Sequence, residues 1–119
     1  MWYNIFMTQE SKSFRQLERI VRGFSNHRRI EILELLGRQS ELSVVEIADK
    51  LRINFKTASE HIRRLAIAGL VLKRSAGAAV RHKLSDRGEV ILKFLRTVIH
   101  LRRFDPGFAW FIIKAGGSS

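Results

Sequence analysis

The 119-residue chain contains no cysteine. Disulfides, thiolate metal sites and cysteine nucleophiles are therefore excluded. It has a single proline, Pro106, so nothing upstream of that position forbids a largely helical body. No apolar run approaches the roughly 18 residues of a membrane span. The opening residues, 1–7, lack the basic n-region and cleavage site of a secretory signal, so the expected location is the cytoplasm, without a membrane partner. The four histidines, His27, His61, His82 and His100, are scattered along the chain, and there is no phosphate-cradling glycine loop. No catalytic residue, metal ligand or cofactor is assigned, and an enzyme is not expected. Acidic residues are also scarce: 11 Asp and Glu stand against 22 Lys and Arg, a formal net charge of +11. The surplus is uneven. Residues 54–103 hold twelve basic side chains opposed only by Glu60, Asp86 and Glu89, a net +9. A folded domain with that imbalance suits a polyanion, the plainer alternative being a merely soluble basic surface.

Hydrophobic content of 45% is that of a folded globular protein, and the length fits one domain. Apolar periodicity marks five helices and one hairpin. A helix over 11–22 carries Phe14, Leu17, Ile20 and Val21, with Gly23 as its stop. A second follows Asn26, a strong N-cap, and ends near Gly37; Ile30, Leu33 and Leu36 form its stripe, widened by Ile32 and Leu35. The third opens at Ser43 with a capping box, Ser43 to Glu46, and turns Val44, Ile47, Ala48 and Leu51 inward. The fourth spans 54–69 with Ala58, Ile62 and Leu65 buried. Strands from 70 and over 79–84 flank a turn at 75–78, with Val80 and Leu84 inward. The fifth helix is capped by Ser85, has Asp86 and Glu89 in its first turn, and runs to about 103. Val90, Ile91, Phe94, Leu95, Val98 and Leu101 form a near-heptad stripe on it, which suits either a partner helix or its own domain. The order is that of a winged helix-turn-helix: mostly α with a small β-hairpin wing and an additional C-terminal dimerisation helix. The domain occupies 11–103, between an apolar N-terminal extension, 1–10, and an aromatic tail, 104–119.

The third and fourth helices are separated by little more than Arg52 and Ile53, which is the helix-turn-helix arrangement. A helical wheel with Ala58, Ile62 and Leu65 inward turns Lys56, Glu60, Arg63 and Arg64 outward, flanked by Thr57 and His61. Such a face fits a major groove. Arg63 and Arg64 have the reach for phosphates or guanine edges. Asn54 and Thr57 can hold a phosphate at the helix N-terminus. Glu60 either accepts from cytosine N4 or holds Arg63 or Arg64 in place. Ile67 also points outward. The hairpin carries Lys73, Arg74, Arg81, His82 and Lys83, a basic wing beside the groove-reading helix.

The run Asn54-Phe55-Lys56-Thr57-Ala58-Ser59-Glu60-His61-Ile62-Arg63-Arg64-Leu65-Ala66-Ile67-Ala68-Gly69-Leu70-Val71 resembles the recognition-helix signature of ArsR-type regulators. Thr57, Ser59, His61, Leu65, Ala68, Gly69, Leu70 and Val71 match it directly, and residues 25–36 look like that family's second-helix opening. Leu84-Ser85-Asp86-Arg87-Gly88-Glu89 looks equally like the segment after the wing in MarR- or PadR-type regulators. The resemblance implies a homodimer on a pseudo-palindromic operator in double-stranded DNA, with the first and last helices at the dimer seam. The apolar stripes of those two helices supply Phe14, Leu17, Val21, Ile91, Phe94, Leu95, Val98 and Leu101 as expected interface residues. It also implies repression relieved by an effector. By position it makes Asn54, Lys56, Thr57, Ser59, Glu60, His61 and Arg64 face DNA, with Arg81 in the wing; charge adds Arg63, Arg74 and Lys83. Two departures stand out. Ala78 replaces the arginine that many relatives carry past the wing-tip glycine, and the last helix has only His100 where metal-sensing relatives cluster ligands.

Both ends are apolar: Trp2, Tyr3, Ile5, Phe6 and Met7, then Phe104, Phe108, Trp110, Phe111, Ile112 and Ile113. They extend a dimer core, or they line a small-molecule effector pocket or dock a protein partner. Two rival functions share this composition: a winged helix used for protein contact, and a non-specific architectural nucleic-acid binder.

Overall fold

The computed structural model describes residues 2–104, with side chains from 13 to 101. Among them are helices α1 (Trp2–Phe24), α2 (His27–Arg38), α3 (Val44–Leu51) and α4 (Phe55–Ile67). Strands β1 (Val71–Ala76) and β2 (Ala79–Leu84) follow, then helix α5 (Asp86–Phe104). The strands form one antiparallel two-stranded sheet, paired from Val71–Leu84 to Ala76–Ala79. The turn is therefore only Gly77-Ala78, tighter than the expected 75–78.

The wide apolar stripe of α2 makes it the central helix. It touches all four other helices and β2. Its Ile32, Leu33 and Leu36 are buried with Ile47 of α3, Ile62 and Leu65 of α4, and Leu70, Val71, Leu84 and Leu92. Each such aliphatic side chain contributes about 1.5–3 kcal/mol on leaving water.

Local chemistry sets where each helix starts and stops. The Asn26 side-chain oxygen accepts from the N–H groups of Arg28 and Arg29 at the head of α2. Ser43 and Glu46 close a reciprocal capping box on α3. The α3 end is a Schellman closure: Arg52 N–H reaches the Asp49 carbonyl at 3.2 Å and Ile53 N–H the Ala48 carbonyl at 3.0 Å. Arg52 takes the left-handed conformation there, φ 55°. The same closure ends α4, with Gly69 at φ 77° and Leu70 N–H on the Leu65 carbonyl at 2.9 Å. The carbonyls left free beyond α4 are taken up by α5. Ser85 Oγ donates to the Gly69 carbonyl at 2.6 Å, and Arg87 donates to the Ala68 carbonyl at 3.1 Å. Ser85 Oγ also accepts the Gly88 N–H at 3.0 Å, which completes its expected role as N-cap.

Several sequence expectations are corrected. Helix α1 begins at Trp2 rather than residue 11, because no glycine or proline precedes Gly23 to stop it; residues 2–10, expected as a separate extension, are its first turns. Gly23 does not end the helix either. It lies one residue inside, where a methyl group would overlap the Ala68 side chain, so it permits the close crossing of α1 and α4. Val80 is exposed, whereas His82 is buried. The alternation of β2 is as expected, but its tip runs beyond the core. On α5 the large side chain that is buried among the described residues is Leu92, outside the expected stripe. Ile91 and Leu95 pack against the core of their own domain. By contrast Phe94, Val98 and Leu101, with Phe14, Leu17 and Val21 of α1, are exposed. The aromatic tail and the side chains of residues 1–12 lie outside the described residues, and so does the expectation placed on them. No described helix is long and apolar enough to cross a membrane.

Gly88 is where α5 docks. A methyl there would overlap the backbone carbonyl of Leu70, which cannot swing aside as a side chain would. Gly88→Ala is expected to destabilise the domain by about 1–3 kcal/mol, lowering the thermal midpoint by several degrees. Helix propensity alone predicts the opposite sign, since alanine is favoured over glycine by about 1 kcal/mol; a raised midpoint would contradict the docking geometry.

Candidate nucleic-acid interface

Burial of Ala58, Ile62 and Leu65 turns the opposite face of α4 to solvent. Lys56, Arg63 and Arg64 are exposed on it, and Thr57, Ser59 and Glu60 are half-buried at its margins. The Glu60 carboxylate accepts from Arg63 Nη2 at 2.8 Å, Arg63 Nε at 3.1 Å and Arg64 Nε at 3.1 Å. Of the two roles open to Glu60, the structure adopts the second: one acid holds two arginines along the ridge. The Arg63 hydrogen bond, and then the charges of both arginines, hold the Glu60 carboxyl below its ordinary range. Arg63 is raised in turn. These exposed pairs contribute little stability; their effect is to orient guanidinium groups.

At the head of α4 the Asn54 side-chain oxygen accepts the Thr57 N–H at 2.7 Å. That N–H is therefore occupied by the cap, which leaves the Asn54 amide nitrogen and the Thr57 hydroxyl as the polar groups of this pair. His61 is half-buried, with Nδ1 3.3 Å from Arg29 Nη1 of α2. An arginine only donates, so Nδ1 accepts and the ring is neutral. Burial first, then the charges of Arg29 and Arg64, hold the His61 pKa below the usual histidine value. His61 thus braces α4 against α2.

The hairpin is moored to the helix-turn-helix by charge. Arg74 and Arg81 stand directly across the two strands, a repulsive pairing by itself. Each has its own acid: Arg74 Nε donates to Glu41 at 2.9 Å, and Arg81 donates to Glu46 at 2.6 Å and to the Glu41 carbonyl at 3.2 Å. Glu46 thereby serves twice, as cap of α3 and as anchor of β2. Among the described residues Lys56, Lys73 and Lys83 are exposed and make no ion pair. His82, expected with the basic wing, lies instead under it, 2% exposed. It bridges to Leu42 as an isolated antiparallel pair, with its Nδ1 3.0 Å from the Leu42 carbonyl. The residues missed in the sequence are the partners: Glu41, Arg29 and Leu42 lie more than thirty positions from what they hold, beyond any local pattern. Among the described residues no group of three metal-ligating side chains is present.

A profile of the bacterial regulatory proteins of the arsR family matches residues 26–73, from α2 through the first residues of β1. The crystal structure of a Mycobacterium bovis fragment described as a possible transcriptional regulatory protein is 31% identical. That match covers 73% of this chain and 92% of the other, with a TM-score of 0.63. A solution structure from the same organism, a homodimeric winged helix-turn-helix DNA-binding domain described as possibly of the ArsR family, gives a TM-score of 0.72 at 25% identity over 82% of this chain and 92% of that one. The chain belongs to the ArsR family of bacterial regulatory proteins. The ArsR-type chain is also similar to the transcriptional regulator HlyU of Vibrio vulnificus, at 28% identity, TM-score 0.63, over 82% of this chain and 98% of HlyU. No curated protein matches it. The matched segment of this ArsR-type chain includes the whole α3–turn–α4 unit and its mooring acids Glu41 and Glu46.

The two shifted histidines set a pH response. Burial holds His82, like His61, below the usual histidine value. A histidine whose folded pKa is lowered favours folding in its neutral form, so its contribution is present above about pH 6.5 and is lost as pH falls below it. The thermal midpoint is expected to drop between pH 7.5 and pH 5.0, and His82→Leu to make that drop shallower. A midpoint flat across the window in the unmodified protein would contradict the buried neutral His82.

Proposed function

We propose that this ArsR-family protein is a sequence-specific duplex-DNA-binding transcriptional regulator, a repressor acting as a homodimer. The observation that carries this is the α4 ridge, on which Lys56, Arg63 and Arg64 stand exposed and, among the described residues, the only acid paired with them is Glu60, which orients the two arginines. In this reading Arg63 and Arg64 reach guanine edges or phosphates. Lys56, Asn54, Thr57 and Ser59 meet the backbone near the helix N-terminus, and Glu60 and His61 act by positioning. Lys83, Arg74 and Arg81 follow flanking phosphates from the hairpin. The homodimer is supported by the uncovered stripes Phe14, Leu17 and Val21 on α1 and Phe94, Val98 and Leu101 on α5. The similar Mycobacterium bovis domain is a homodimer. The repressor role rests on the family resemblance, and a small-molecule effector or protein partner at the apolar termini falls on residues whose side chains are not described.

A salt titration of binding to duplexes selected from a random pool tests the reading. Phosphate contacts release counterions, so affinity should fall steeply with salt concentration. Arg64→Ala should weaken binding by roughly 1–3 kcal/mol if its contact is to a base. A protein-contact module would show no salt-dependent duplex affinity, and an architectural binder would return no consensus from the pool.

A further inference from the structure

The exposed aliphatic and aromatic side chains of α1 and α5 have a use in the proposed dimer. Phe55 has none. It is the first residue of α4, and its ring is 56% exposed. The spacing 55, 58, 62, 65 places it on the same stripe as Ala58, Ile62 and Leu65. Those three are buried, but at Phe55 the stripe has run past the end of the core. A helical side chain leans toward the N-terminus of its helix, so the ring projects forward from the tip of α4, between the N-cap Asn54 and the exposed Lys56. Its sequence neighbour across the turn is the exposed Arg52. In the chain around it Arg52, Asn54 and Lys56 are exposed and polar, and Ile53 is half-buried.

Early residues of a recognition helix are those that approach base edges. In the major groove every base pair presents hydrogen-bonding atoms, and the one apolar feature is the C5-methyl group of thymine. A phenylalanine there can make neither donor nor acceptor contacts; it can only cover a methyl. The geometry points to Phe55 as a specificity-determining residue that reads a thymine methyl in each operator half-site. This rests on the duplex-binding reading above and adds to it the chemical group that one side chain selects.

The test uses the full chain and duplexes recovered from the random pool. Each thymine of a half-site is replaced in turn by deoxyuridine, which keeps every hydrogen-bonding atom and lacks only the methyl. At one position per half-site the unmodified protein should lose roughly three- to fivefold in affinity, the worth of one buried methyl. Phe55→Ala and Phe55→Ser should bind thymine and deoxyuridine duplexes equally at that position. Both variants should keep the helical circular dichroism of the parent, since the ring is not part of the core. The inference is overturned if no thymine position responds, or if the responsive position responds equally in both variants. It is overturned together with the duplex-binding reading if the unmodified protein shows no salt-dependent affinity for any duplex, an outcome visible before any base is changed.

Discussion

Ala58, Ile62 and Leu65 are buried on one side of α4 against the apolar stripe of α2. That contact decides which side chains of α4 face outward. A helix repeats every 3.6 residues, so sinking positions 58, 62 and 65 leaves 56, 60, 63 and 64 on the far side. The sequence has put charge there. Everything proposed for the ridge follows from this single orientation, and a rotation of α4 by one residue would bury its charges at a cost no pairing in the core could offset.

Acidic residues are few, and the structure uses several of them to hold arginines. Glu60 orients Arg63 and Arg64, Glu41 takes Arg74, and Glu46 takes Arg81. Glu34 takes Arg38 and Arg96, tying α2 to α5. These are exposed pairs of small net energy in water. Their value is geometric: a guanidinium already held in one direction loses less freedom on meeting a phosphate or a base. The hairpin gains most from this. Two arginines facing each other across its strands would splay it, and the two acids from the segment before α3 and from α3 itself draw it against the helix-turn-helix.

How much of this was legible in the sequence depends on range. N-caps are local, and they stand where expected: Asn26, Ser43 with Glu46, Asn54 and Ser85 each begin a helix. The outward basic face of α4 came from periodicity alone. What escaped was set by contacts distant in sequence. Gly23 reads as a helix stop, but its reason is Ala68 on another helix. His82 reads as one more wing cation, but the bridge to Leu42 puts it under the sheet. The expected α5 stripe is split in space, and it did not include Leu92. Leu92, Ile91 and Leu95 belong to the core, and Phe94, Val98 and Leu101 do not, because the tilt of α5 against α2 is fixed by Gly88 and the carbonyls beyond α4.

The orientation of α4 toward a groove is most directly tested by following backbone amides while a selected duplex is added, by hydrogen exchange or nuclear magnetic resonance shifts. The account predicts that the largest changes fall on residues 54–64 and on the hairpin around Lys83, with the groove-distant face of α2 near Glu34 unaffected. Changes concentrated on α5 and α2, with residues 54–64 silent, would contradict it.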